Sequence, residues 1–243
     1  VYSNKKKDEK NLHRLLPQER ILYIAPGIRP QLISFDPEMR HALRNQWLVG
    51  DRQVILTTAM LRPGVKTEGI RQVIKSCGDL HRSGLNILLV VIGDGQNRQL
   101  LEDEARQHLG SACLFVGKIQ RPDLFRYYSA ADLFAFPGIQ ESLGMVYLEA
   151  QSTGLPVVAY RDWGASEAVV NGQTGILTPA SRPEEFTASI KRLLTNQAQR
   201  TTMGDAAKVH IRSNHDLLKN YLFLSENLQE IVHKYQSALQ TAT

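Results

Sequence analysis

At 243 residues, 42% hydrophobic and 22% charged, the chain is long enough to bury a proper core as one large domain or two small ones, and it carries no low-complexity tract. Its two cysteines, Cys77 and Cys113, rule out a disulfide framework or a cysteine metal spacing, and no apolar run approaches the roughly 18 residues a membrane span needs. A net charge of +5 suits an anionic partner: a phosphorylated small molecule, an anionic membrane face or nucleic acid. Nucleic acid ranks last, because the sequence has no RNP-like aromatic strand, zinc finger or arginine-rich block. The charged start, Lys5–Lys10, is followed by no apolar signal-peptide core, so a reduced, cytoplasmic setting is expected.

Ahead of Arg52 the chain holds one strand-like run, Ile21-Leu-Tyr-Ile24, followed by Pro26-Gly27 and Pro30. Residues 1–51 therefore read as an N-terminal extension and a connection entering a domain, with Lys5–Lys10 a solvated terminus. From Arg52 onward short apolar runs alternate with helical patterns. Gln53–Ala59 predicts a strand, and Thr67–His81 a helix carrying Ile70, Val73, Ile74 and Leu80 on one face. Asn86–Ile92 is a strand, closed by a Gly93-Asp-Gly95 turn and followed by a helix over Gln99–His108. Ala112–Val116, Leu133–Phe136 and Leu155–Ala159 are further strands, with helices near Asp123–Ala130 and Leu143–Ser152 between them. Strands rich in Val, Ile and Leu that alternate with helices give an α/β body with a parallel sheet covered on both faces. Such sheets bind ligands at the carboxyl ends of their strands, where three loops here carry glycine or charge: Ala59–Lys66, Gly93–Gly95 and Pro137–Gly144. This body spans 52–214. The remainder, 215–243, is helical from His215 to Leu239, with Leu217, Tyr221, Leu224, Leu228, Ile231 and Tyr235 spaced by fours and threes. The stripe spans under three heptads, so it reads as a long helix docked on the body and not as a coiled-coil seam.

The chemistry concentrates in Pro137-Gly-Ile-Gln-Glu141-Ser-Leu-Gly144-Met-Val-Tyr-Leu-Glu149-Ala150. A strand ends at Phe136, the chain turns at Pro137-Gly138, and a helix begins around Ser142–Gly144, with Ser142 as its expected N-cap. Glycine in the first turn lets a ligand reach bare backbone N–H groups, which with the helix dipole form an anion site suited to phosphate. Glu141 stands just before this site. Glu149 lies ~7.5 Å along the helix axis from Gly144, about the reach from a pyrophosphate to a ribose. A carboxylate accepts from both vicinal ribose hydroxyls at once. Alone, Glu141 reads as a charge favouring the helix N-terminus and Glu149 as a solvated helix residue. Together, in one strand–turn–helix unit with glycine between them, they read as a site.

The segment resembles the paired-glutamate signature of the retaining group 1 (family 4) glycosyltransferases, which have the two-domain GT-B fold; seven residues separate the glutamates, as in that family. Further motifs follow in family order: the basic loop Leu61-Arg62-Pro-Gly-Val-Lys66, Val90-Val-Ile-Gly-Asp-Gly95, Phe115-Val-Gly117, Ala130-Ala-Asp132-Leu-Phe134, Ala150-Gln-Ser-Thr-Gly154-Leu-Pro156 and Asn171-Gly-Gln-Thr-Gly175. The resemblance covers residues 20–210. It implies a Rossmann-like, doubly wound parallel sheet forming one half of the GT-B fold, and a nucleoside-diphosphate sugar as donor. It implies further that Arg62 and Lys66 hold the diphosphate and Glu149 the ribose. Glu141, with the backbone of Ser142, Leu143, Gly144 and Met145, would hold the sugar and distal phosphate, and the turn Gly117, Lys118, Ile119 would lie near the nucleobase. Glu141, Arg62 and Lys66 are then the catalytic set, since breaking the anomeric C–O bond leaves negative charge on the diphosphate for the cations and helix N-terminus to stabilise. No metal and no further cofactor are expected. The sequence has no Asp-x-Asp; Asp36-Pro-Glu38 and Glu102-Asp-Glu104 are its nearest approximations, and its seven histidines show no ligand spacing.

Departures from the family pattern are specific. Ala59-Met60-Leu61 stands where the family commonly has Gly-Arg-Leu, and Trp163-Gly164-Ala-Ser-Glu167 where it has Gly-Gly before a glutamate; Trp163 is expected to pack. The family's acceptor-binding N-terminal domain has no counterpart here, so the chain reads as a donor half that transfers sugar poorly or not at all alone. An acceptor at the inner membrane face, such as a lipopolysaccharide or another glycolipid, would suit the basic surface. Two alternatives stay open: a sugar-nucleotide epimerase of the same architecture, and a nucleotide-binding or interaction module without chemistry. A dehydrogenase is not expected, because Arg98 stands where the third glycine of a dinucleotide fingerprint would follow Gly93 and Gly95.

Overall fold

A computed structural model describes residues 1–17 and 21–241. The chain opens with strand β1 (Tyr2–Ser3), helix α1 (Lys6–Leu12) and strand β2 (Leu22–Tyr23), where β1 and β2 pair in parallel as a two-stranded sheet of their own. Helix α2 (Pro37–Gln46) follows, capped by the Asp36 carboxylate, which accepts from the Met39 N–H. The main body then alternates β3 (Gln53–Thr58), α3 (Val65–Arg82), β4 (Ile87–Ile92), α4 (Arg98–Leu109), β5 (Cys113–Gly117), α5 (Leu124–Ala130), β6 (Leu133–Ala135), α6 (Met145–Ser152), β7 (Val157–Tyr160), α7 (Trp163–Ala168) and β8 (Gly175–Thr178). Helices α8 (Pro183–Thr195), α9 (Gln197–Asn214) and α10 (Leu217–Thr241) complete it.

The six main strands lie in the order β5-β4-β3-β6-β7-β8, every neighbouring pair parallel, with helices on both faces. This is the doubly wound arrangement expected from the sequence. From β3 the chain winds outward through β4 to β5, then returns to lay β6 on the other side of β3. The central strands are buried almost throughout: every residue of β4 and β6 is buried, as are Val54–Thr58 of β3. A sheet covered on both faces demands such continuous runs. Each helix of the body supplies the opposing stripe, as Ile70, Val73, Ile74, Cys77 and Leu80 do from α3.

Asp132, just before β6, pins α2 to the sheet. Its carboxylate accepts from the Val54 N–H at 2.8 Å and pairs with Arg40 at 2.6 Å and Arg44 at 3.0 Å. Burial would push this carboxyl upward, but the Val54 N–H and the two guanidiniums outweigh it and hold the group below its ordinary value.

A second junction ties the two ends of the body together. The segment after β2 runs beside the elbow between α9 and α10: the Ile28 N–H donates to the His215 carbonyl at 2.9 Å, and the Leu217 N–H to the Ile28 carbonyl at 2.7 Å. His215 Nδ1 meets the Pro26 carbonyl at 2.7 Å, and Asn220 donates to that of Ala25 at 2.8 Å. Gly27 is required here, since a Cβ would stand 2.8 Å from Leu217 Cα. Beyond this elbow α10 leaves the body with Leu218, Tyr221, Leu222, Leu228, Ile231 and Val232 exposed. The helix is therefore not docked on the body as the sequence suggested; Tyr235, the last member of the expected stripe, has its side chain outside the described residues.

Asp132→Ala is expected to destabilise the chain by about 3 kcal/mol, because it strands two part-buried guanidiniums and the Val54 N–H. Urea unfolding of both proteins measures it. A lowered carboxyl value in the folded state means that the wild-type advantage persists at pH above the ordinary carboxylate value and disappears as pH falls through the folded one.

Candidate functional site

The winding reversal between β3 and β6 brings the loops that follow these two strands side by side, leaving a crevice at their carboxyl ends. The helices that follow, α3 and α6, both begin there. Each has a glycine at its N-cap in a left-handed-side conformation, Gly64 at φ 103° and Gly144 at φ 70°, and neither has a side-chain cap. Two uncapped N-termini thus face one crevice, the arrangement that favours anions. Ser142 was expected to cap α6, but the helix starts three residues later at Met145, and exposed Ser142 lies in the preceding bend. The competing feature is Gly144, whose positive φ ends the bend and starts the helix.

Lys66, in the first turn of α3, forms an ion pair with Glu141 from the loop after β6. Both side chains are part-buried, and the Lys66 ammonium also lies 5.5 Å from the centre of the Phe136 ring. Arg62 is exposed at the tip of the same loop and joins no ion pair among the described residues.

Glycines fix both loops by letting backbone touch backbone. Around Glu141, a Cβ on Gly164 would fall 2.6 Å from the Gly144 nitrogen and 2.8 Å from the Glu141 carbonyl oxygen. The Gly164 N–H donates to that same carbonyl at 2.8 Å, so the start of α7 braces the glutamate loop. Gly93 and Gly95 play the corresponding part for the basic loop. Cβ atoms there would strike the Ala59 and Leu61 carbonyls at 1.9 and 2.5 Å, while the Leu61 N–H donates to the Asp94 carbonyl at 3.0 Å.

Glu149 sits in the fifth position of α6, and its side chain is only 6% exposed. The solvated-helix reading of this residue is thereby excluded. Its carboxylate accepts from Arg121 Nε at 3.1 Å and from the Tyr128 hydroxyl at 3.4 Å. Burial raises its pKa, a push opposed by Arg121 and Tyr128. A row of aromatic rings, Tyr128, Phe134, Tyr147 and Phe136, runs beneath the site from Glu149 to Lys66, with neighbouring centroids 5.7 to 6.4 Å apart. The Tyr147 hydroxyl donates to the Phe136 carbonyl at 3.1 Å and lies against Gly138, whose φ is 68°.

Gly117 ends β5 at φ 90° and accepts from the Gly93 N–H at 2.9 Å; exposed Lys118 and part-buried Ile119 follow it at the same end of the sheet. A 3-10 turn over Arg121–Asp123 carries Arg121 from there toward Glu149. Leu143 and Met145 are part-buried beside Gly144. Arg121, Tyr128 and Tyr147 were not among the residues singled out from the sequence. Trp163 opens α7, and its side chain lies outside the described residues. Glu167, three residues beyond Gly164, faces away from the crevice: it accepts from the Lys6 N–H at 2.8 Å and the Tyr23 hydroxyl at 3.2 Å, tying the small β1–β2 sheet to the body.

The family and the fold have counterparts among known proteins. The family model for glycosyl transferases group 1 matches residues 40–210. The GDP-mannose-dependent alpha-(1-6)-phosphatidylinositol monomannoside mannosyltransferase of Mycolicibacterium smegmatis is 30% identical over 201 residues, 79% of this chain and 52% of that protein. The alpha-D-kanosaminyltransferase of Streptomyces kanamyceticus is 28% identical over 85% of this chain and 53% of its own length. The chain therefore spans about half the length of the curated relatives it matches. Among solved structures, a sucrose-phosphate synthase from Thermosynechococcus elongatus shares the fold with a TM-score of 0.82 at 22% identity, over 96% of this chain and 58% of that one. HepE of Anabaena, solved in complex with UDP-glucose, gives 0.77 at 23% identity, over 95% and 63%. With the profile match covering more than half of its residues, this chain belongs to the group 1 glycosyltransferase family.

Proposed function

We propose that the chain is the donor-binding half of a retaining, metal-independent glycosyltransferase, which holds a nucleoside-diphosphate sugar while a domain outside these residues presents the acceptor. The observation that carries the reading is the meeting of Lys66 and Glu141 at the winding reversal, between two uncapped helix N-termini, with Glu149 buried farther along α6. The diphosphate takes Lys66, Arg62 and the N–H groups that open α6. Glu141 then faces the sugar, Glu149 accepts from the ribose diol, and Gly117, Lys118 and Ile119 border the base.

Departure of the diphosphate from the anomeric carbon places negative charge where these cations and dipoles already point, so little reorganisation accompanies bond breaking. In this reading they replace a divalent ion. An acceptor-bearing domain is supported by the length of the relatives and by the exposed apolar face of α10. The net charge of +5 supports an acceptor at an anionic membrane face, a glycolipid or lipopolysaccharide, as does the lipid named as acceptor in the mycobacterial relative. Among the described residues no helix is long and apolar enough to cross a membrane.

Calorimetric titration with UDP, GDP and ADP, with and without Mg²⁺, tests the proposal. Metal-independent binding of one of them is expected. Glu149→Ala should weaken it through lost hydrogen bonds worth ~1–3 kcal/mol. Glu141→Ala should spare the plain diphosphate and weaken the matching sugar-bearing form; equal effects of the two changes on both ligands would contradict their separate roles. Lys66→Ala should weaken both ligands and flatten the salt dependence of binding. The chain alone should show no transfer at ordinary enzyme rates, and a radiolabelled-sugar assay that found such turnover would refute the need for a second domain.

A further inference from the structure

Arg121 does not belong to the diphosphate-binding set, yet it makes the only ion pair of the most deeply buried carboxylate at the crevice among the described residues. The Glu149 side chain is 6% exposed, whereas that of Arg121, which covers it, is 66% exposed. The other partner, Tyr128, is buried and fills the inner side. The route from solvent to Glu149 is therefore the one on which the guanidinium lies. Arg121 sits on a short 3-10 turn behind Gln120, with Pro122 next to it, and its side chain has no second ion pair or hydrogen bond among the described residues that would keep it there.

Resting on the donor-site reading, we propose that Arg121 is an internal stand-in for the ribose: it satisfies Glu149 while the site is empty and is displaced into solvent when the diol arrives. Binding then exchanges one charged donor for two hydroxyl donors on the same carboxylate. The empty site never exposes a bare buried charge, and the affinity for nucleotide is reduced by whatever the Arg121–Glu149 pair contributes to the empty state. Lys66 and Glu141 repeat the arrangement at the other end, so the unfilled crevice is internally neutralised at both carboxylates.

The proposal has a two-sided signature. Truncation of Arg121 removes a contact from the empty protein and none from the complex. Arg121→Ala is expected to bind UDP or GDP, whichever the wild type binds, about 5-fold more tightly, the scale of a partly exposed ion pair to a buried partner. The same variant should have a lower Tm when empty and an unchanged Tm when saturated with that nucleotide. Arg121→Lys should fall between the two. If Arg121 supports Glu149 equally in both states, both Tm values fall and the affinity is unchanged. If it contacts bound nucleotide, affinity falls while the empty Tm holds. Either result overturns the stand-in role. Glu149→Ala, run in parallel, separates the levels of failure. Wild-type binding that Glu149→Ala weakens but Arg121→Ala does not strengthen sinks this inference alone, whereas no binding of either diphosphate to the wild type sinks the donor-site reading with it.

Discussion

Every strand of the main sheet runs in one direction, and the chain reverses its winding once, between β3 and β6. The rest of the site depends on that constraint. Neighbouring β–α units wound the same way send their loops to the same face of the sheet and leave no gap between them. Reversal instead sends the loops after β3 and β6 to opposite faces and opens a crevice, across which a lysine and a glutamate distant in sequence form an ion pair. The apolar demand of the central strands secures this arrangement. With β4 and β6 buried throughout, a register slip would carry polar loop residues into the core. The crevice is thus held by the least exposed part of the protein, while its own residues remain polar.

Electrostatically the empty crevice is a closed account of charge. Each of its two glutamates already has a cation, and each cation comes from a different layer: Lys66 from the helix after β3, Arg121 from the turn after β5. Neither glutamate is paired with a residue from its own helix. The backbone supplies what remains open, the uncapped N–H groups of α3 and α6. Glycine decides the geometry at this level, because Gly93, Gly95, Gly144 and Gly164 each stand where a side chain would overlap a neighbouring carbonyl or amide. The loops are positioned by contact between main chains, which costs little conformational freedom in use and leaves few side chains in the way of a ligand.

The body of this fold was legible in its apolar runs, and the site in its spacing. Strands β3 to β7 appeared within two residues of their places because long buried runs leave no ambiguity of period: Asn86–Ile92 stands against β4 at Ile87–Ile92. Several of the elements missed from the pattern have dilute apolar residues, although α8, with Phe186, Ile190, Leu193 and Leu194 buried, does not. Helix α9 buries only Met203, Gly204, Ala207 and Ile211 along 18 residues, and β8 is four residues long after a glycine. Strand β1, two residues long, carries no periodic signal at all, whereas β2 lies inside the strand-like run Ile21–Ile24. At the site, Glu141, Glu149 and Lys66 were readable because they lie in a strand–turn–helix frame. Arg121 was not, since its partner is 28 residues away and only the fold brings them together. A signal for it existed in retrospect: a lone arginine directly after the turn assigned to the base. The error at Ser142 has a plain source, a good capping residue placed two positions too early by a glycine that alone could take the bend. The tail helix was read correctly as a helix and wrongly as docked, because a stripe of leucines shows that a face wants covering without saying by what.

The junction at Ile28 and His215 has a mechanical meaning. The small β1–β2 sheet enters the body through one strand of backbone and α10 leaves it through another, and hydrogen bonds from Ala25 to Asn220 splice the two into a single double-stranded tether. The Glu167 carboxylate holds the β1–β2 sheet to the body at a further point, through the Lys6 N–H and the Tyr23 hydroxyl. A pull on the entering chain is therefore shared with the elbow of the leaving one, and the body meets both loads at one clamped end, away from the loops that form the crevice.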